Sequence, residues 1–101
     1  MYEPNQIVIP PAFMEIYSHN GRPTAPRETV EARYDLCEDM AQQMMDFCAN
    51  LQFKNDLSHD EVLRRCLAAL TATPDGVVTP AEAQWVVSRS AELLNWPQPS
   101  P

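Results

Sequence analysis

Val30-Glu31-Ala32-Arg33-Tyr34-Asp35-Leu36-Cys37-Glu38-Asp39-Met40-Ala41-Gln42-Gln43-Met44-Met45-Asp46-Phe47-Cys48-Ala49-Asn50-Leu51 is the stretch that decides the fold. It lies within residues 27–54, which contain no proline or glycine. That span is long enough for about seven turns of α-helix. Val30, Tyr34, Cys37, Ala41, Met44, Cys48 and Leu51 follow alternating steps of four and three, the heptad spacing. At ~100° per residue they share an arc of about half the circumference with Leu36, Met40, Met45 and Phe47. The acids Glu28, Glu31, Asp35, Glu38, Asp39 and Asp46 form a separate stripe. An ordinary surface helix needs an apolar stripe of only about 100°. The expectation is a long central helix with more apolar surface than one neighbour covers.

Working outward, Pro26 starts this element, and His19-Asn20-Gly21-Arg22-Pro23 is turn chemistry that ends an earlier one. Residues 11–18 read as a short helix with Pro11 in its first turn and Phe13, Ile16 and Tyr17 on one side. Gln6-Ile7-Val8-Ile9 is a β-branched run stopped by Pro10-Pro11, suited to an edge strand or an extended arm. Downstream, Ser58-His59-Asp60-Glu61 is a capping box, in which Ser58 accepts from the Glu61 amide and Glu61 reaches back. The helix it opens, about 59–71, carries Val62, Leu63, Cys66, Leu67 and Leu70 on one face. Thr79-Pro80-Ala81-Glu82 repeats the signal for a helix over about 80–95. The predicted fold is all-α: a small helical bundle with one long central helix, a short N-terminal helix and a C-terminal helical pair. Residues 1–10 are read as an extended arm, 11–96 as one helical domain and 97–101 as a Pro-rich tail.

Composition narrows the function. The 101 residues suit one domain, and an apolar share of 45% excludes disorder throughout. No apolar run is long enough to cross a membrane. The first residues lack the basic and apolar stretches of a secretory signal. The net charge is −7, and nine acids against two bases fall between Glu28 and Glu61. Such a region repels a phosphate backbone, so direct nucleic-acid binding is not expected. Three cysteines, Cys37, Cys48 and Cys66, show no disulfide-framework spacing; they fit a reducing cytoplasm and read as small buried hydrophobes.

The chemistry-bearing patterns are sparse. Counted as a calcium loop, Thr71 to Glu82 places threonines at 71 and 73 where carboxylates belong, so no calcium is expected. Gly76 is read as a turn, Val77-Val78 as packing and Glu82 as a cap. His19 and His59 are the only imidazoles, without metal-pair spacing, and read as solvated. Met14, Met40, Met44 and Met45 fill core gaps or form an adaptable surface. A helix-turn-helix reading of the last two helices fails because the connection is long and the second helix holds one base, Arg89. No metal, cofactor or catalytic residue is expected.

Three stretches carry a resemblance: Gln6 to Phe13; Arg22 to Arg27 with Ala32 to Met40; and Asp75 to Val87. They resemble a family of small uncharacterised proteobacterial proteins often labelled "ATPase with chaperone activity". The ATPase half conflicts with the residues. A P-loop needs G-x-x-x-x-G-K-[ST], whereas Gly21 precedes Arg22, Gly76 precedes Val77, and Lys54 is near neither.

The expected function is a non-catalytic protein-interaction module: an adaptor, small chaperone or regulator of a larger partner, or a self-associating chain. The candidate partner-binding residues are Met40, Met44, Met45, Phe47 and Leu51, rimmed by Glu31, Asp35, Glu38 and Asp39. The alternative is an acidic mimic of DNA that inhibits a nucleic-acid-binding protein, and an enzyme ranks last.

Overall fold

The computed structural model describes residues 8–72 and 76–98. The suggested strand at Gln6-Ile7, position 73 of the calcium count and the tail from Pro99 lie outside the described residues. Four helices carry the fold: α1 (Pro11–Ile16), α2 (Arg27–Asn55), α3 (His59–Thr71) and α4 (Pro80–Leu94). Between the first two lie β1 (Ser18–His19) and β2 (Arg22–Pro23). The all-α bundle around one long helix is therefore observed, with a two-residue hairpin added.

That hairpin departs from the sequence reading, which ran α1 on to Ser18. The helix stops at Ile16 because the chain turns through Asn20 (φ 52°) and Gly21 (φ 77°), both left-handed. Two consecutive positive φ values match the twist of antiparallel strands, and Ser18 pairs with Pro23 and His19 with Arg22. Val8 and Ile9 belong to no strand; Val8 is exposed and Ile9 buried.

Helix boundaries follow the local chemistry. Pro26 holds the N-cap of α2 in an extended conformation, and its carbonyl accepts from Val30 at 3.1 Å. The Ser58 side chain caps α3 by accepting from the Glu61 amide at 3.1 Å. The reciprocal bond expected from Glu61 is absent from α3's cap, because that carboxylate turns to Arg65 one turn on, at 3.1 Å. At α4 both halves of the box form, Glu82 amide to Thr79 Oγ1 at 3.1 Å and Thr79 amide to Glu82 Oε1 at 2.9 Å. This helix ends on Asn95 in the left-handed region, with the amides of Asn95 and Trp96 bonding back to Glu92 and Ala91. That pair of bonds is the Schellman closure.

The 29 residues of α2 span about 43 Å at 1.5 Å per residue, and α3 and α4 are about half as long. The heptad positions face inward: Val30, Cys37, Ala41 and Cys48 are buried, and Tyr34, Met44 and Leu51 flank them half-buried. The core has two lobes. One gathers Phe13 of α1 against Tyr34 and Trp85, with ring centroids 5.4 and 5.1 Å away and edge-to-face geometry. The other gathers Cys48, Val62, Leu63, Cys66, Val87 and Ala91, where α2, α3 and α4 meet. Ser90 of α4 donates to the Ala41 carbonyl of α2 and to the Val86 carbonyl of its own helix.

Candidate functional site

The candidate contact residues divide by their angle around α2. Met40 packs against the aromatic lobe, and Met44 and Leu51 pack against the second lobe, so each is half core and half surface. Met45 is also half-buried. Phe47 is 52% exposed. Beside it runs a shallow groove of about 390 Å³ lined by Phe47, Asn50, Leu51, Lys54 and Asn55. Further along, Phe53 is 89% exposed. The sequence reading passed over Phe53 because it lies 18 residues, five helical turns, from Asp35 and so on the acidic side.

The acidic rim is partly spent on the fold itself. Arg89 of α4 donates to both Glu38 oxygens, at 2.9 and 3.1 Å, and holds that carboxyl below its ordinary range. Glu31 accepts from Arg27 at 2.8 Å within α2. Asp35 and Asp39 are exposed. Two of the four rim carboxylates are thus paired with arginines.

Glu82 caps α4, as its place in the capping box implies, and it is also the most buried charge among the described residues. Its side chain is 0% exposed. Arg33 donates Nε to Oε2 at 2.8 Å and Nη2 to Oε1 at 2.6 Å, and Tyr17 Oη donates to Oε2 at 2.5 Å. Arg33 also reaches the Val77 carbonyl at 2.7 Å, fixing the loop before α4. Val77 itself is 64% exposed, against the expectation that it packs; only Val78 leans on the core. A signal for the pair was present. Arg33 lies five turns from Leu51 and therefore falls inside the apolar arc, where a cation requires a buried partner. The arrangement ties α1, α2 and α4 together and leaves no carboxylate oxygen unpartnered.

All three cysteines are buried free thiols. Burial pushes Cys37 up to about 12, far from a reactive thiolate. Cys48 of α2 and Cys66 of α3 stand together, Sγ to Sγ 2.8 Å. The shared hydrogen bond and burial push the Cys48 thiol up. Spacing rules for single-helix metal pairs miss this contact. The useful signal is that both residues are nine positions from Leu57, at the corner between two consecutive helices.

A groove of about 670 Å³ runs between α1 and α4 past Ile16, Tyr34, Trp85 and Arg89. Its arginine is committed to Glu38 and Glu92. Neither imidazole lines it: His19 sits in the hairpin, and His59 stacks on Trp96 with centroids 4.3 Å apart and planes 11° from parallel. Among the described residues, no three His, Cys, Asp or Glu side chains converge to hold a metal ion, and no helix is long and apolar enough to cross a membrane. No family model, no curated protein and no solved structure matches the chain.

Proposed function

We propose that this chain is a non-catalytic protein-interaction module, an adaptor, small chaperone or regulator, that docks through the apolar face and acidic rim of α2. The observation that carries the reading is Phe47, half exposed beside an open groove on a helix that outruns both its companions. Fully burying an aromatic side chain yields about 1.5–3 kcal/mol, so leaving Phe47 and Phe53 in water forgoes stability that a partner would supply. Half-buried Leu51 lines the groove, half-buried Met44 lies about one helical turn before Phe47, and methionine adapts its shape to a partner. Asp35 and Asp39 supply a polar rim that favours a partner with basic residues. The chaperone half of the family label accords with such a role.

The test is capture of partners from the native host with the full chain as bait, in parallel with Phe47→Ser, and sedimentation of the purified chain. The reading expects a partner, or a second copy, that is lost with Phe47→Ser and retained in high salt. Retention in salt separates apolar docking from charge mimicry, which screening abolishes. A strictly monomeric chain that retains no protein more strongly than its Phe47→Ser variant overturns it.

A further inference from the structure

We propose that Cys48 and Cys66 form a reversible dithiol–disulfide site that hydrogen peroxide closes and a dithiol reopens. Three observations carry this, none of which involves the docking face. The sulfurs, 2.8 Å apart, are inside the ~3.5–4.0 Å of ordinary non-bonded contact. They are less than about 1 Å from the ~2.05 Å of a covalent S–S bond, so closure needs little backbone movement. Each residue is nine positions from Leu57, so the corner between α2 and α3 brings them side by side. Their surroundings are Val62, Leu63, Val87 and Ala91, an apolar shell in which a disulfide leaves no polar group unpaired. Cys37 does not compete, because it lies 11 residues from Cys48 on the same helix, about 16 Å along the axis.

The step balances without a further reagent. One sulfur, as its thiolate, attacks a peroxide oxygen and becomes a sulfenic acid. The O–O bond breaks, and the departing hydroxide takes up the thiol's proton as water. The second sulfur then attacks the sulfenic sulfur, the S–S bond forms, and the hydroxyl leaves with the second proton as another water. Two thiols and one peroxide give one disulfide and two waters. The sulfurs lose two electrons and the peroxide oxygens gain them. Both thiols are fully buried, so the oxidant must be small and the rate follows the local opening of α3 from α2.

The experiment treats the full chain with hydrogen peroxide, quenches it, then unfolds and alkylates it for mass measurement. Cleavage before aspartates separates the thiols, because Asp39 and Asp46 lie between Cys37 and Cys48. The expected product joins fragment 46–55 to the fragment beginning at Asp60, with Cys37 alkylated. Closing a loop of this length raises the melting temperature by on the order of 10 °C, and dithiothreitol reverses the rise. Cys37→Ala leaves both results unchanged, whereas Cys48→Ala and Cys66→Ala abolish the cross-link and the rise. The wild-type mass stands by itself should either variant fail to fold. Three alkylated thiols after peroxide, sulfinic or sulfonic acids without a cross-link, or a disulfide that uses Cys37 or joins two chains overturns the proposal.

Discussion

Arg33 on α2 holds both oxygens of Glu82 on α4, at 2.8 and 2.6 Å, across 49 residues of sequence. The carboxylate is fully buried and the guanidinium half-buried, so each partner is expensive to leave alone. Glu82→Ala also removes the bonds to Tyr17 and to the Thr79 amide. It is expected to destabilise the chain by about 3–5 kcal/mol, the range for breaking a buried pair from one side. The double substitution Arg33→Met/Glu82→Leu should cost clearly less than the sum of Arg33→Met and Glu82→Leu, because it strands no charge. Urea unfolding of the four proteins reads this directly, and additive losses would remove the coupling.

The same pair sets an acid limit. Burial alone would raise the Glu82 carboxyl, but bonds from Arg33, Tyr17 and the Thr79 amide outweigh it and hold the group down at about 2. An unfolded glutamate titrates near ~4.3. The folded value is the lower, so the folded state favours the ionised form. Its contribution, on the order of 3 kcal/mol, is complete above about pH 5 and is lost as pH falls towards 2. Glu38, held down by Arg89, acts in the same direction. Urea midpoints measured from pH 6 to pH 2 should fall more steeply for wild type than for Glu82→Gln. Parallel curves would mean that Glu82 does not carry the acid sensitivity.

The helices and their order were legible because each rests on local chemistry: Pro26 before α2, Ser58 before α3, Thr79-Pro80 before α4, and the heptad that faces the core. The hairpin was not, since the positive φ of Asn20 and Gly21 shows in the sequence only as turn chemistry. Pairings across distant positions were the main loss. Arg33 with Glu82 and Arg89 with Glu38 depend on how α4 lies against α2, which no local pattern encodes. Exposure around α2 was not legible: the arc groups Phe47 with Cys37, Ala41 and Cys48, yet Phe47 is 52% exposed while those three are buried, and Met40, Met44 and Leu51 are shared with the core that α1, α3 and α4 complete.

Exposure and burial of phenylalanine should separate binding from stability. Phe53→Ser should change stability by no more than about 0.5 kcal/mol, as at other exposed sites. Phe47→Ser should cost about 1 kcal/mol because part of its ring is covered. Phe13→Ala, by contrast, empties the centre of the aromatic lobe and should cost about 3–5 kcal/mol. Denaturant unfolding reads all three, and capture assays with the folded Phe47 and Phe53 variants read binding. A Phe47→Ser loss as large as that of Phe13→Ala would mark Phe47 as core and withdraw it from the docking face.

Asp56 is a position where the fold leaves stability unused. It closes α2 in the left-handed region, φ 51° and ψ 46°, with its amide bonded to the Gln52 carbonyl at 2.8 Å. A residue with a Cβ is penalised there, and glycine is not. Its carboxylate also sits at the negative end of the long helix, where a cation is favoured. Both effects have the same sign, so Asp56→Gly should raise stability by about 1 kcal/mol, offset in part by the greater freedom of glycine in the unfolded chain. Asp56→Asn separates them, because it removes the charge while keeping a side chain that tolerates this backbone. It should recover only the electrostatic share, a few tenths of a kcal/mol at low salt that fades as salt is added. Urea midpoints at two salt concentrations decide it. A destabilised Asp56→Gly would mean that Asp56 makes a contact worth more than its backbone strain.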